Sequence, residues 1–427
     1  MQSLHIEGQA PVKGKVTISG NKNAVLPMIA AALLTDEKVI LKNAPNILDV
    51  RVMLEIIQAL GVDVNFDNNA IEISAKRFKA SSICEDLCSR VRTSILFAGP
   101  LAVRCGKATI YPPGGDVIGR RRLDGHFYGL RKLGVEIETD HEFIFKAPKR
   151  LVGCELFLDE ASVTATEQIM MAAVTAKGTT IVRNAASEPH VTDLAELLNK
   201  MGAKISGLSS NTLIIEGVEK LHGTEHEIVS DHTEAGSFLA LGAVCGGELT
   251  LHGTKPRHYW MTHRVFEKLG LKIELRKDHI FLPGNQEMRV MDDFDGHCPV
   301  ISDGPWPQFP SDLMSVAIVM ATQAHGSVLF FEKMFESRIY FVDRLMSMGA
   351  KAIVCDPHRV VINGPSKLRG ISMSSPDIRA GMAMLIAAMC AKGKSTINSA
   401  HVIHRGYENV VDKILSIGGN ISASGGN

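Results

Sequence analysis

Six apolar segments of the chain begin with polar and charged side chains whose types are unusual for that place. They read Lys22-Asn23, Arg92-Thr93, Thr164-Thr166-Glu167, Asp231-His232-Glu234, Ser311-Asp312 and Asp377-Arg379. Ser, Thr, Asp and Asn are ordinary helix N-caps, and capping suffices for Thr93, Ser311 and Asp377. It does not account for Lys22, Arg92 and Arg379, because the helix dipole opposes a cation at an N-terminus. A cation and a helix N-terminus become compatible when an anion lies between them, so the chemistry implied is the holding of a phosphate or carboxylate.

A second recurrent position gathers more charge. The loops PPGGDVIGRRR (112–122), ASEPH (186–190), MFESR (334–338) and HVIHRGYE (401–408) supply Asp116, Glu188, Arg121, Arg338 and Arg405. The first loop is neither a Walker A sequence, since no GK[ST] follows, nor a GxGxxG that opens a helix. Its glycines around Asp116 and Arg121 fit either a mobile surface turn or a lid that closes over an anionic substrate.

These residues must be positioned by a repeat. An amphipathic helix ending in an apolar residue and Gly, then an alternating strand, occurs six times, with the glycines at 61, 134, 202, 270, 349 and 418. Each Gly fits the left-handed position that closes a helix. Between these units run helices built of Ala, Gly, Ser, Met and aliphatic residues, such as NAVLPMIAAALL, RTSILFAGPLAV and RAGMAMLIAAMC. Helices apolar on nearly every side must be buried, and a unit of about 70 residues cannot cover one alone. Three units make one globule and six make two. The expected lobes are 22–229, carrying the 112–122 loop, and 1–21 with 230–427. Equivalent repeats would bring the charged ends together in a cationic cleft between them.

The 427 residues hold 46 Lys+Arg and 46 Asp+Glu, a balance that argues against a dedicated nucleic-acid binder or a polybasic membrane anchor. Eight scattered cysteines form neither a disulfide framework nor a zinc-ligand spacing, so reduced thiols and no metal are expected. The start has no signal-peptide pattern, and no long uncharged apolar run exists, so a cytoplasmic protein without membrane spans is expected.

In order, ISGNKNAVLP, PPGGDVIGRR, ASVTATEQIMMAA, NAASEP, FPSDLM, FESR, DIRAG and HRGYE resemble the motifs of the UDP-N-acetylglucosamine enolpyruvyl transferases, over about residues 5–423. The resemblance implies a two-lobed inverse α/β barrel, or prism, of six βαβαββ-type units with three per lobe, and an active site in the cleft. It implies two small-molecule partners, phosphoenolpyruvate and UDP-N-acetylglucosamine, and no cofactor. Oligomeric state stays open.

Carried over by motif, Lys22 and Asn23 fall at the phosphoenolpyruvate subsite, and Arg121 and Arg405 would hold phosphate. Arg338 and Arg379 would add charge near the carboxylate, Arg92 would contact the UDP-sugar, and Asp312 would be the general base. Arg122, Leu123, Asp124, Gly125, Glu160, Ser162, Val163 and Met334 would line the uridine-diphosphate site. Asp116 stands where most of the family has a cysteine that donates a proton, which implies an aspartate as acid and resistance to fosfomycin, the epoxide that alkylates that cysteine. Other departures are Glu160 for Lys, Thr164 for Gly, Ser89 for Lys, His190 for Glu, His232 for Arg and Arg122 for Pro. Glu160 beside a diphosphate would be unfavourable, so it is either a solvated edge residue or the sign of a paralogue with another nucleotide-linked or phosphorylated acceptor. A non-catalytic relative is the third alternative, opposed by the full set of cations and acid–base groups.

Overall fold

The computed structural model describes residues 2–116, 118–119 and 121–425. It separates into two compact units. The first comprises Gly20–Asp116 and Arg121–Val229; the second comprises the segments up to Ser19 and from Ser230 onward, with which Ile118 and Gly119 also group.

The first unit is organised by three buried helices, α1 (Lys22–Ala31), α2 (Ala98–Cys105) and α3 (Val163–Ala173). The second unit has α4 (His232–Val244), α5 (Ser311–Ala321) and α6 (Ile378–Cys390), which pack against one another. Almost every residue of α4, α5 and α6 is buried, as their lack of a polar face requires. The segment 92–105 is not one α-helix: Arg92–Phe97 is a 3₁₀ turn, and the α-helix begins only at Ala98. Pro100 has no N–H to extend a helix through it, so it sits in the first turn, where none is needed.

Among the described residues, six four-stranded sheets, three per unit, follow one plan. In the first, Thr224–Glu227 pairs parallel with Lys38–Lys42, which pairs antiparallel with Ala70–Ser74, which pairs antiparallel with Asp63–Asp67. An edge strand from late in the unit thus completes the sheet of its earliest repeat. In the second unit, the N-terminal strand Ser3–Glu7 lies between Lys394–Asn398 and Ile421–Ser424 and completes the last repeat. The strands alternate buried and exposed positions, so each sheet turns one face to its core and the other to water. The six repeat glycines have φ between +82° and +108°, the left-handed closure their spacing predicts.

All eight cysteines are free thiols. No helix of the described residues is long and apolar enough to cross a membrane, and among them no group of three His, Cys, Asp or Glu side chains could hold a metal ion.

Candidate active site

In the first unit, Asn21 caps α1 by accepting from the Ala24 N–H at 3.1 Å, which places Lys22 at the first helical position. Lys22 is not an isolated cation there. Its Nζ lies 2.9 Å from Oδ2 of Asp49, in the first turn of the outer helix Leu48–Ala59, and both side chains are buried. An acid of the same unit thus offsets the dipole's opposition to Lys22. Asn23, half-buried, is the next residue of α1.

Arg92 opens the 3₁₀ turn, and its Nη2 donates to the carbonyls of Arg121 at 2.8 Å and Arg122 at 3.3 Å. Burial, and then the neighbouring Arg121, push the Arg92 guanidinium down to about 10, which leaves it charged at neutral pH. The 112–122 loop is anchored at its start: the Gly114 N–H donates to the Cys88 carbonyl at 3.1 Å. A Cβ on Gly114 would fall 1.6 Å from the Ser89 carbonyl oxygen, so only glycine fits. Asp116 is half-buried. Val117 and Arg120 of this loop lie outside the described residues.

Half-buried Leu123 precedes the outer helix Asp124–Lys132, on which Asp124 is exposed, with the Arg122 Nε 4.0 Å from its carboxylate. A Cβ added to Gly125 would meet Ala165 at 3.2 Å, so the missing side chain lets this helix approach α3 closely. Ser162 caps α3 by accepting from the Ala165 N–H, and Val163 is its first residue. Glu160 is exposed, and its carbonyl accepts from the Ser162 N–H at 2.8 Å.

Sequence reasoning passed over His126. Its Nε2 lies 3.0 Å from Thr164 Oγ1, and burial, then Arg92, push it down to about 3, so the ring is neutral. A lone histidine in an amphipathic helix carries no signal in sequence; its pairing with Thr164 appears only once the two helices meet.

In the second unit three predicted residues converge. Asp312, second in α5, lies with Oδ1 3.1 Å from Arg338 Nη2 and Oδ2 2.9 Å from Arg379 Nη2. Both arginines are buried; Arg338 also donates to the Ser311 carbonyl at 3.2 Å. Arg379 is second in α6, after Asp377, whose carboxylate caps the helix by accepting from the N–H groups of Arg379 and Ala380. Burial works against the charge of Arg379, but Asp312, Tyr407 and Asp231 more than offset it and hold the guanidinium above its ordinary value. Its carbon stands 5.4 Å from the centre of the Tyr407 ring. Arg405 ends the 3₁₀ turn Ala400–Arg405, two residues before that tyrosine. Met334 is exposed in the loop before Arg338.

Two capping expectations need correction. Thr93 lies inside the 3₁₀ turn, with its Oγ1 near Met53 Sδ at 3.4 Å, and caps nothing. Ser311 is the first residue of α5 rather than its cap; Pro310 holds the cap position, and the serine hydroxyl donates to Glu332 at 2.8 Å. His232 opens α4 after its cap Asp231, with its ring 6.0 Å from that of Trp306, and net burial lowers its pKa.

A family model described as EPSP synthase (3-phosphoshikimate 1-carboxyvinyltransferase) matches residues 6–414. The chain is 54% identical over 419 residues to the UDP-N-acetylglucosamine 1-carboxyvinyltransferase of Treponema denticola, covering 98% of each chain. It is 51% identical over 422 residues to that of Borreliella burgdorferi, covering 99% of each. In fold it is similar to the enolpyruvyl transferase NikO from Streptomyces tendae, with a TM-score of 0.87, 21% identity, and 100% and 99% of the two chains covered. An EPSP synthase from Acinetobacter baumannii is also similar, with a TM-score of 0.77, 19% identity and both chains fully covered.

Proposed function

Because the chain belongs to the UDP-N-acetylglucosamine 1-carboxyvinyltransferases, within the EPSP synthase family whose model it matches, we propose that it transfers the enolpyruvyl group of phosphoenolpyruvate to the 3′-hydroxyl of UDP-N-acetylglucosamine. Phosphate is released, and the reaction is the first committed step of peptidoglycan precursor synthesis. The two substrates are cytoplasmic metabolites, so the cytoplasm is the compartment this reading implies.

The observation that carries the residue roles is the carboxylate of Asp312 at the start of α5, gripped by Arg338 and Arg379. The chemistry needs a base for the hydroxyl proton, an acid for C3 of the enol, and cations for a phosphate and a carboxylate. In the addition step the hydroxyl oxygen bonds to C2 while its proton passes to Asp312, and C3 gains a proton from Asp116. In the elimination step C3 gives the proton back and the C2–O bond to phosphate breaks, which restores the double bond.

Lys22, Asn23, Arg121 and Arg405 serve the phosphate side of phosphoenolpyruvate, and Arg338 and Arg379 its carboxylate. A carboxylate held by two guanidinium groups is a weak proton acceptor. Anionic substrate groups competing for those arginines would therefore release Asp312 for its task. Arg92, Arg122, Leu123, Asp124, Gly125, Ser162, Val163 and Met334 serve the UDP-sugar, with Glu160 at the edge of that subsite. The exposure of Glu160 supports its place as a solvated edge residue rather than a charge buried beside the diphosphate.

Phosphate release from phosphoenolpyruvate, measured with UDP-N-acetylglucosamine and with other UDP-sugars as acceptors, tests the function. Release that depends on UDP-N-acetylglucosamine and falls at least about tenfold in kcat/KM with its analogues is expected, the scale of one lost polar contact. Absence of acceptor-dependent release from UDP-N-acetylglucosamine would overturn the assignment.

A further inference from the structure

Behind the Asp312 cluster lies a second pair of acids that the reaction does not consume. The parallel strands Val300–Ser302 and Gly326–Phe331 pair Ser302 with Phe331, so the residues that follow them, Asp303 and Glu332, leave the sheet side by side. Both are fully buried. Asp303 accepts from the backbone N–H groups of Lys333 at 2.5 Å and Met334 at 3.4 Å. Glu332 Oε1 accepts from the Ser311 hydroxyl at 2.8 Å and from the Phe335 N–H at 3.2 Å. Its other oxygen, Oε2, is buried and receives no donor from the protein. Together the two carboxyl groups tie down the turn 332–335, which leads to Arg338, and the residue immediately before Asp312.

Two carboxyl groups that are both buried and leave a sheet side by side do not both ionise. We propose that Glu332 and Asp303 share a single proton, carried on Glu332 Oε2, and that this neutral-acid and carboxylate pair is a positioning device that sets Arg338 and Asp312 for the reaction. Loss of the proton would leave two repelling charges and loosen the turn, so the pair sets an alkaline limit on turnover. The charged and titratable groups facing it are Arg338, His358, whose Nδ1 lies 2.7 Å from the Glu332 carbonyl, and the exposed Lys333, whose backbone N–H donates to Asp303. Burial first, and Asp303 second, hold the Glu332 carboxyl well above the usual carboxylate range, against the pull of Arg338.

The sign for stability follows from linkage. A group whose folded pKa is raised contributes fully at low pH and loses that contribution as pH rises from the unfolded to the folded value. Gln at 332 keeps a donor toward Asp303 and an acceptor toward Ser311 and Phe335, yet cannot ionise.

The effect on turnover rests on the proposed role of Asp312; the protonation does not, and infrared spectroscopy reads it independently. The expected results are a neutral carboxylic-acid band at neutral pH that is present in the wild type and missing in Glu332→Gln, so that it stands as a positive band in the wild-type minus variant difference spectrum, and that is shifted in Asp303→Asn, where the carboxylate beside it is gone. Glu332→Gln should keep turnover within about threefold of wild type at neutral pH while its alkaline limb moves upward, and Glu332→Ala should lower kcat at least about tenfold. An unchanged acid band in both conservative variants, or an unchanged alkaline limb in Glu332→Gln, would overturn the proposal. Asp312→Asn should lower kcat at least about 100-fold but keep the band, so failure of the base assignment is distinguishable from failure of the pair. Should Glu332→Gln not fold, the Asp303→Asn difference spectrum decides alone.

Discussion

Asp312→Asn is expected to lower kcat by at least about 100-fold, the ordinary worth of a positioned general base. Asparagine has the same shape and its one carbonyl oxygen can still accept from Arg338 or Arg379, but its NH2 cannot accept from the other and it cannot take the hydroxyl proton. The loss should fall on kcat more than on KM for phosphoenolpyruvate, since the two arginines remain to hold anions. Some stability is lost as well, because removing one partner from a buried ion pair costs up to about 3–5 kcal/mol. Asp312 keeps 29% of its side chain exposed, so the cost here belongs at or below the low end of that range. Steady-state kinetics beside a thermal melt separate the two effects. Turnover within a few-fold of wild type in a folded Asp312→Asn enzyme would remove this residue from the mechanism.

Asp116→Ala should be comparably damaging, with a loss of about 10²–10⁴-fold in kcat if the carboxyl protonates C3. Its distinctive sign is isotopic. In deuterium oxide the wild-type enzyme should place deuterium at C3, and the variant should fail to do so even over long incubation. Asp116→Cys should restore turnover, because a thiol can also deliver the proton. It should also create a new liability, since a thiolate opens an epoxide far more readily than a carboxylate does. Mass spectrometry after exposure to fosfomycin is therefore expected to find an adduct on Asp116→Cys and none on the wild type; an adduct at Asp116 itself would contradict the proposed resistance.

Much of the repeat was legible because its signals are local. Gly61, Gly134, Gly202, Gly270, Gly349 and Gly418 all take the left-handed backbone their positions imply, and the helices without a polar face are buried. What stayed hidden depends on partners distant in sequence. Nothing around Lys22 announces Asp49, which arrives from the next helix. Ser311 resembles a cap until Glu332, just past the end of a neighbouring strand, accepts its hydroxyl. The segment 92–105 reads as one helix by composition, yet Pro100 divides its hydrogen bonding.

The equality of 46 basic and 46 acidic residues acquires a local meaning. The cations picked out by sequence are not simply balanced by acids elsewhere on the surface. Lys22 has Asp49 beside it, and Arg338 and Arg379 share Asp312. Such pairing keeps buried cations tolerable before substrate arrives, and an incoming phosphate or carboxylate then exchanges partners rather than meeting bare charge.

In the proposed reaction the C2–O bond of phosphoenolpyruvate is broken and its three-carbon group moves to the sugar hydroxyl. Turnover of phosphoenolpyruvate labelled with ¹⁸O at the bridging oxygen, in the presence of UDP-N-acetylglucosamine, tests it most directly. The label is expected to leave entirely in inorganic phosphate while the sugar nucleotide gains an enolpyruvyl ether. Label retained in pyruvate, or a phosphate group found on the sugar nucleotide, would contradict it.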